Sequence, residues 1–399
     1  MSLERTASIL TAALAVAGLG SATRVARVVE IPSLGIAADT FPNFERVLLL
    51  ETTSEASANV SVGDLNGDGH LDLVLVKGRH WPLVDRILIG DGGGRFDVRH
   101  DLGATADRSY SGRLADLDRD GDLDVVISND APDPKRVYIN GGKGRFSMGS
   151  TFGRPAWVTR NATVADLNQD NLPDIVVANR GESNSANYVC FNKGNARFDA
   201  DCVAFSRESA TTITAADFNR DSLIDLAVPH RDGGQSRVYL AAPKGNFSVT
   251  RSIPFGPPNA AIRVAEAADL DGDGLLDIVA IDERQGTAVY FGQRNATFAA
   301  GVMVADRTVT PNALAVDYVN GDRKPDVVVG NVEAPSAVYF NDGSGRQFHV
   351  VRFGDAKGTV YGFAIADLNR DGLIDIAAAR SDAPNVVYFG GRAKQGTPR

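Results

Sequence analysis

The chain is poor in the residues that most often carry chemistry. Among 399 residues there are 2 Cys, 2 Trp, 3 Met and 5 His. Two Cys exclude a disulfide-dense mini-scaffold and a Cys-rich zinc module. The five His are scattered and form no HExxH pair. There is no long basic run, and 50 acidic against 41 basic residues leave a net charge of −9. That balance argues against nucleic acid as a partner, because phosphate backbones are held by clustered Lys and Arg. Disorder is excluded as well: 43% of residues are hydrophobic, enough for a packed core.

Long apolar runs are also scarce. The stretch Ser8 to Ala22 (SILTAALAVAGLGSA) has no charge. It is short and Ala/Gly-rich for a membrane span, which needs about 20 apolar residues. It reads as a secretory signal with Gly20-Ser21-Ala22 at the cleavage site. Residues 1–22 are therefore expected to be a signal peptide and 23–43 a leader. The processed chain is expected to lack a membrane span, to be a monomer, and to be secreted, extracellular or periplasmic.

What is abundant is one repeated segment. It occurs as DLNGDGHLD from Asp64, DLDRDGDLD from Asp116, DLNQDNLPD from Asp166, DFNRDSLID from Asp217, DLDGDGLLD from Asp269, DYVNGDRKPD from Asp317 and DLNRDGLID from Asp367. The first Asp residues are 52, 50, 51, 52, 48 and 50 apart. A fixed period of this length marks a repeat architecture.

The flanks of each segment read as strands. A short small-residue run precedes it, and a β-rich run such as LVLV, VVIS or IVVA follows. A third strand comes next, with Tyr in VYIN, NYVCF, VYL and VYF but RILI in the first repeat. A Gly/Asn turn then leads to a Phe expected to open a fourth strand: Phe96, Phe146, Phe198, Phe247, Phe298 and Phe348. Four antiparallel strands repeated seven times predict an all-β, seven-bladed propeller over 44–391, with a tail at 392–399. The seventh repeat lacks a fourth strand. FERVLLLE (44–51) is expected to supply it and close the ring, which removes open sheet edges.

The segments place oxygen ligands at positions 1, 3, 5 and 9, with a backbone carbonyl at 7. A hard cation such as Ca2+ takes 6–8 oxygens of this kind. The predicted sets are Asp64, Asn66, Asp68, His70 and Asp72; Asp116, Asp118, Asp120, Asp122 and Asp124; Asp166, Asn168, Asp170, Leu172 and Asp174; Asp217, Asn219, Asp221, Leu223 and Asp225; Asp269, Asp271, Asp273, Leu275 and Asp277; and Asp367, Asn369, Asp371, Leu373 and Asp375. His70, Asp122 and the four Leu enter through their carbonyls. An EF-hand is excluded, since position 12 is apolar where a bidentate Glu is needed. Position 6 needs a sharp turn, easiest for Gly69, Gly121, Gly274 and Gly372. The second and fifth loops have four carboxylates and should bind most tightly. The sixth has an extra residue. Counting back from Asp326 puts Tyr318 at position 1, leaving Asn320, Asp322 and Asp326 as a weak or empty site, so six or seven Ca2+ are expected.

These motifs resemble the FG-GAP/VCBS repeat family, found in integrin α-chain heads and many secreted proteins. The tandem D-x-[DN]-x-[DN]-G-x-x-D words carry the resemblance from about 44 to 391, while GRF, NARF and GNF stand where the family has Phe-Gly words. It implies a seven-bladed propeller with calcium on one face and leaves the ligand open.

A ligand is expected on the other face or at the channel mouth. The second-to-third strand loops offer Arg79, Trp81, Arg180, His230, Arg231, Arg284 and Arg380, and the connectors between blades offer Tyr110, Trp157, Arg160, Arg263 and Tyr361. Arg forks suit carboxylates and aromatic faces suit sugar rings, so an acidic glycan or acidic protein surface is the expected partner. The expected role is a carbohydrate- or protein-binding module. A polysaccharide lyase with His230 or Tyr361 as base, or a purely structural surface protein, are the alternatives. Cys190 and Cys202 flank one turn on adjacent strands and are expected to form a disulfide. Net charge fits this picture. Taking the 22 Asp at ligand positions out of the net −9 leaves +13 for everything else.

Overall fold

The computed structural model describes residues 41–181, 186–305 and 307–392. The expected signal peptide, most of the leader and the tail beyond 392 lie outside them. Among the described residues there are 28 strands and one short 3-10 turn, Val249–Arg251.

The strands follow one plan. In the first unit Ser57–Gly63, Asp72–Lys77, Arg86–Ile89 and Val98–Asp101 pair antiparallel in chain order. Four more units form separate four-stranded sheets of the same order. The rest form one eight-stranded sheet, in which a single residue pair, Val332 with Thr359, joins two groups of four. The 28 strands thus fit seven groups of four, in a β-propeller fold. The N-terminal strand Asn43–Leu49 pairs antiparallel with Val386–Gly391, in the place expected of it. The first strands pack side by side around the molecule, and the last of them, Thr359–Ala366, returns beside Ser57–Gly63.

Burial explains the β-branched runs. The second strand of each unit is covered on both faces, so alternation of side chains sends successive residues to different neighbours. Leu73 and Leu75 pack with Ala364, Ala377 and Phe389 of the last unit. Val74 and Val76 pack with Leu114, Val125 and Ile127 of the next. Each such side chain contributes about 1.5–3 kcal/mol of hydrophobic burial. The core is therefore a ring of clusters between sheets.

Two expectations need correction. Phe146 and Phe348 do open their strands, but Phe96, Phe198, Phe247 and Phe298 precede theirs. Phe96 and Phe247 are instead buried between sheets, where a large ring gains more from packing than from the ladder. Cys190 lies on Asn187–Cys190, but Cys202 lies one residue before Val203–Ser206. The expected disulfide between them is present, with Cα atoms 4.5 Å apart.

Candidate metal centres and a candidate ligand face

Each Asp-rich segment links the first strand of a unit to its second. Its last Asp opens that second strand: Asp72, Asp124, Asp174, Asp225, Asp277, Asp326 and Asp375. All seven are buried. Each uses both carboxylate oxygens on backbone N–H groups. Asp72 accepts from Leu65 and Gly90, both at 2.8 Å, and Asp277 from Leu270 at 2.9 Å and Gly292 at 2.8 Å. The last Asp thus ties the loop to the far end of the third strand. Burial pushes these carboxyls up, Asp72 to about 6 and Asp124 and Asp277 to about 7. The N–H bonds pull the other way, and the remaining loop carboxylates add to the rise.

The loop itself is shaped by Asx-type turns. Asp64 accepts from Gly67 at 2.8 Å and Gly69 at 2.9 Å, and Asp68 accepts from His70 at 2.8 Å. The backbone is left-handed not only at position 6, as expected, but also at position 4. Arg119, Gln169, Arg220 and Arg370 have φ of 67°, 62°, 62° and 61°, and Ser222 at position 6 has 68°. The sixth loop keeps this pattern when counted back from Asp326. Val319 N–H donates to Asp326 at 3.0 Å, and Gly321 and Arg323 have φ of 75° and 66°. Tyr318 therefore stands at position 1, where a ligand oxygen would be needed.

Two loops go further than turn formation. Carboxylate oxygens of Asp116, Asp118 and Asp124 lie within 4.8 Å of one another, as do those of Asp269, Asp271 and Asp273. Asp269 Oδ1 and Asp271 Oδ1 are buried and have no hydrogen-bond partner. Crowded carboxylates repel, and buried acceptors without donors are costly, so a cation bound among them would relieve both. An all-oxygen donor set fits a hard cation such as Ca2+. These are the second and fifth loops, those richest in carboxylate.

The opposite ends of the strands hold the predicted Arg, Tyr and His residues. Five of them gather where the first strands begin. The Arg79 guanidinium lies 3.6 Å from the centre of the Tyr361 ring, Arg263 lies 5.7 Å from the same ring, and Arg160 lies 4.3 Å from that of Tyr110. Tyr110 Oη is 3.2 Å from the His80 ring nitrogens. Burial, then Arg79 and Arg160, hold the His80 imidazole below its ordinary value. Burial and the neighbouring Arg231 bring Arg263 down to about 10, against the pull of Glu283.

Several of these cations already have carboxylate partners. Arg160 pairs with Asp130 at 2.6 Å and Arg180 with Asp232 at 2.8 Å. Arg231 and Arg263 share Glu283 at 2.6 and 3.3 Å. Arg380 is buried against Asp355 at 2.7 Å. Arg284 donates to the Asn259 carbonyl at 2.6 Å. Trp157 stacks on Tyr188 at 3.9 Å and packs into the core, whereas Trp81 is 72% exposed. Arg79 has no carboxylate partner among the described residues, and its Nε is buried and unpartnered. A cavity of about 560 Å³ lies on this face, lined by Arg160, Arg180, Arg207, Ser209, His230 and Asp232. Arg207, Ser209 and Asp232 were not anticipated.

The repeat pattern of the FG-GAP-like repeat family matches residues 64–127, 116–177, 166–228, 217–280 and 319–378, well over half of the chain. No curated protein is similar enough in sequence to match. Among solved structures, the chain is similar to a lectin of Agrocybe aegerita described as recognising non-reducing terminal N-acetylglucosamine. That likeness has a TM-score of 0.53 at 18% identity and covers 86% of each chain. It is also similar to BBS1N in complex with ARL6DN, in crystals soaked with mercury or with lead. The TM-scores are 0.57 and 0.56 at 14% identity, over 88% of this chain and 97% of the other. At these identities the likeness concerns the fold.

Proposed function

This chain belongs to the family of FG-GAP-like repeat proteins, and on that premise we propose that it is a secreted, calcium-stabilised seven-bladed propeller acting as a binding or adhesion module for carbohydrate or protein partners. The observation that carries the metal half is the fifth loop, with its converging carboxylates and the unpartnered Oδ1 atoms of Asp269 and Asp271. Asp116, Asp118, Asp120 and Asp124 hold the ion in the second loop, and Asp269, Asp271, Asp273 and Asp277 in the fifth. Position-7 carbonyls, of Asp122 and Leu275, complete the sets. The ion supplies positive charge where the loop carboxylates converge, and in doing so fixes the link between first and second strands. The three-Asp loops bind more weakly, and the sixth, with Tyr318 at position 1, is weakest.

The binding half rests on the opposite face. Its Arg and Tyr residues gather where the first strands begin, and Arg79 carries a charge that no carboxylate among the described residues balances. An acidic glycan or an acidic protein surface is the partner this face suits. Export is supported by the disulfide between Cys190 and Cys202. No helix among the described residues is long and apolar enough to cross a membrane.

The test has two arms. Calorimetric titration with Ca2+ should find the tightest sites lost in Asp118→Asn and Asp271→Asn, and Asp322→Asn should leave the tight class intact. An array of neutral and acidic glycans, with acidic proteins beside them, should then retain the calcium-loaded protein through acidic partners, and Arg79→Ala should weaken that retention. Equal calcium binding by all three loop variants, or retention by neutral glycans alone, would overturn the respective half.

A further inference from the structure

Several buried polar atoms among the described residues have no hydrogen-bond partner. Three belong to Asp loops, on Asp269, Asp271 and Asn369. His230 Nδ1 instead belongs to a residue that lines a cavity on the opposite face. At about 560 Å³ it falls in the size range of small-ligand sites.

Its lining is unequal in charge. Arg160, Arg180 and Arg207 face one carboxylate, that of Asp232. Asp232 is engaged by Arg180 at 2.8 Å and also accepts from the Ser209 hydroxyl. The Arg180 contact holds its carboxyl below the ordinary value, so it is ionised at neutral pH. Asp130, which pairs with Arg160, is not part of the lining. Arg207 is exposed and makes no ion pair among the described residues. The cavity therefore offers one free guanidinium, an unpartnered imidazole nitrogen, and a hydroxyl and carboxylate that can accept.

We infer that this cavity binds a hexuronate residue of an acidic saccharide. The sugar carboxylate is taken by Arg207, and its ring hydroxyls bond to His230 Nδ1, Ser209 and Asp232. The mixture of lining groups selects this class over an acidic peptide. A peptide side chain brings acceptors only, and would meet the Asp232 carboxylate as a like charge. A sugar brings hydroxyls that donate to it, beside the one carboxylate that Arg207 lacks. This inference rests on the reading of the face as an acidic-partner site and narrows that reading to one cavity and one chemical class.

The test uses the calcium-loaded full chain. Calorimetry compares a galacturonate trisaccharide, monomeric galacturonate, the neutral galactose trisaccharide and a polyglutamate peptide. The variants are Arg207→Ala, His230→Gln, Arg79→Ala and the remote Arg352→Ala. Binding of the galacturonate trisaccharide should weaken by about tenfold or more in Arg207→Ala and measurably in His230→Gln, as loss of a charge-assisted hydrogen bond requires. It should be unchanged in Arg352→Ala, with equal melting temperatures throughout. Monomer and trisaccharide should both bind, the trisaccharide more tightly if the chain runs on along the face. Equal affinity for the neutral trisaccharide would overturn the proposal, and so would full affinity in Arg207→Ala. If acidic ligands bind but only Arg79→Ala reduces affinity, the acidic face stands and this cavity falls. Saturable polyglutamate binding sensitive to Arg207→Ala overturns the saccharide assignment alone. No binding by any acidic probe overturns both.

Discussion

The two ends of the strands solve opposite electrostatic problems. At one end carboxylates are packed into nine-residue loops and held by backbone N–H groups, as Asp277 is by Leu270 and Gly292. At the other, guanidiniums are held by carboxylate side chains, as Arg231 is by Glu283 of the next repeat. Asp269 Oδ1 and Asp271 Oδ1 are acceptors without donors in one loop, and Arg79 Nε is a donor without an acceptor on the other face. An orphaned acceptor among carboxylates is completed by a cation, and an orphaned donor among guanidiniums by an anion. One fold thus presents a cation-seeking face and an anion-seeking face, with the strands between them.

The largest effect is expected where one carboxylate serves two backbone donors. Asp277→Ala leaves two N–H groups without acceptors and should cost about 2–6 kcal/mol, read by chemical denaturation in excess chelator. A cost near zero would mean that the loops are held by metal alone. On the other face Glu283→Ala should cost less, about 1–3 kcal/mol. Two cations lose their shared partner there, but Glu283 is 35% exposed and solvent screens the loss. A larger loss than that of Asp277→Ala would reverse the comparison.

Between the faces lies Glu266, on the first strand Ile262–Ala268. Burial raises its carboxyl to about 8, and Arg113 opposes the rise. A folded-state value above the unfolded one means that the protonated form is favoured by folding. This stabilisation is complete below about pH 4, the unfolded carboxyl range, and is lost as pH rises through about 8. Glu266→Gln should therefore stabilise the protein relative to wild type at pH 9, and the advantage should vanish at pH 4. A gain independent of pH would point to packing instead. The smallest effect concerns the loop backbone. Ser222 has φ of 68°, so Ser222→Gly should relieve strain and stabilise by about 0.5–1 kcal/mol. Destabilisation would show that the Ser222 side chain itself holds the loop.

The two faces were not equally legible in the sequence. The Asp loops are contiguous, so spacing alone revealed their period and the displaced sixth copy with Tyr318 at position 1. What spacing could not show is that the last Asp is a double backbone acceptor, because its second donor comes from 15 to 18 residues downstream. The left-handed turn at position 4 was also hidden, since Arg119 and Gln169 give no sign of it. The opposite face is assembled across repeats. Arg79 meets Tyr361, and Arg231 meets Glu283 one repeat later. Its residues were visible one at a time, but the pairing of Arg160 with Asp130, Arg180 with Asp232 and Arg231 with Glu283 was not, because it depends on neighbouring units. Trp157 misled for the same reason: its stacking on Tyr188 exists only in the folded sheet.

The most direct test of the cation-seeking face is a thermal melt of the full chain in chelator and in saturating Ca2+. Binding to the folded state alone stabilises by about 2.7 kcal/mol per site at a hundredfold excess over Kd. The melting temperature should be higher in Ca2+, with most of the gain lost when Asp118 and Asp271 are both changed to Asn. An unchanged melt in wild type, or the same calcium response in the double variant, would contradict it.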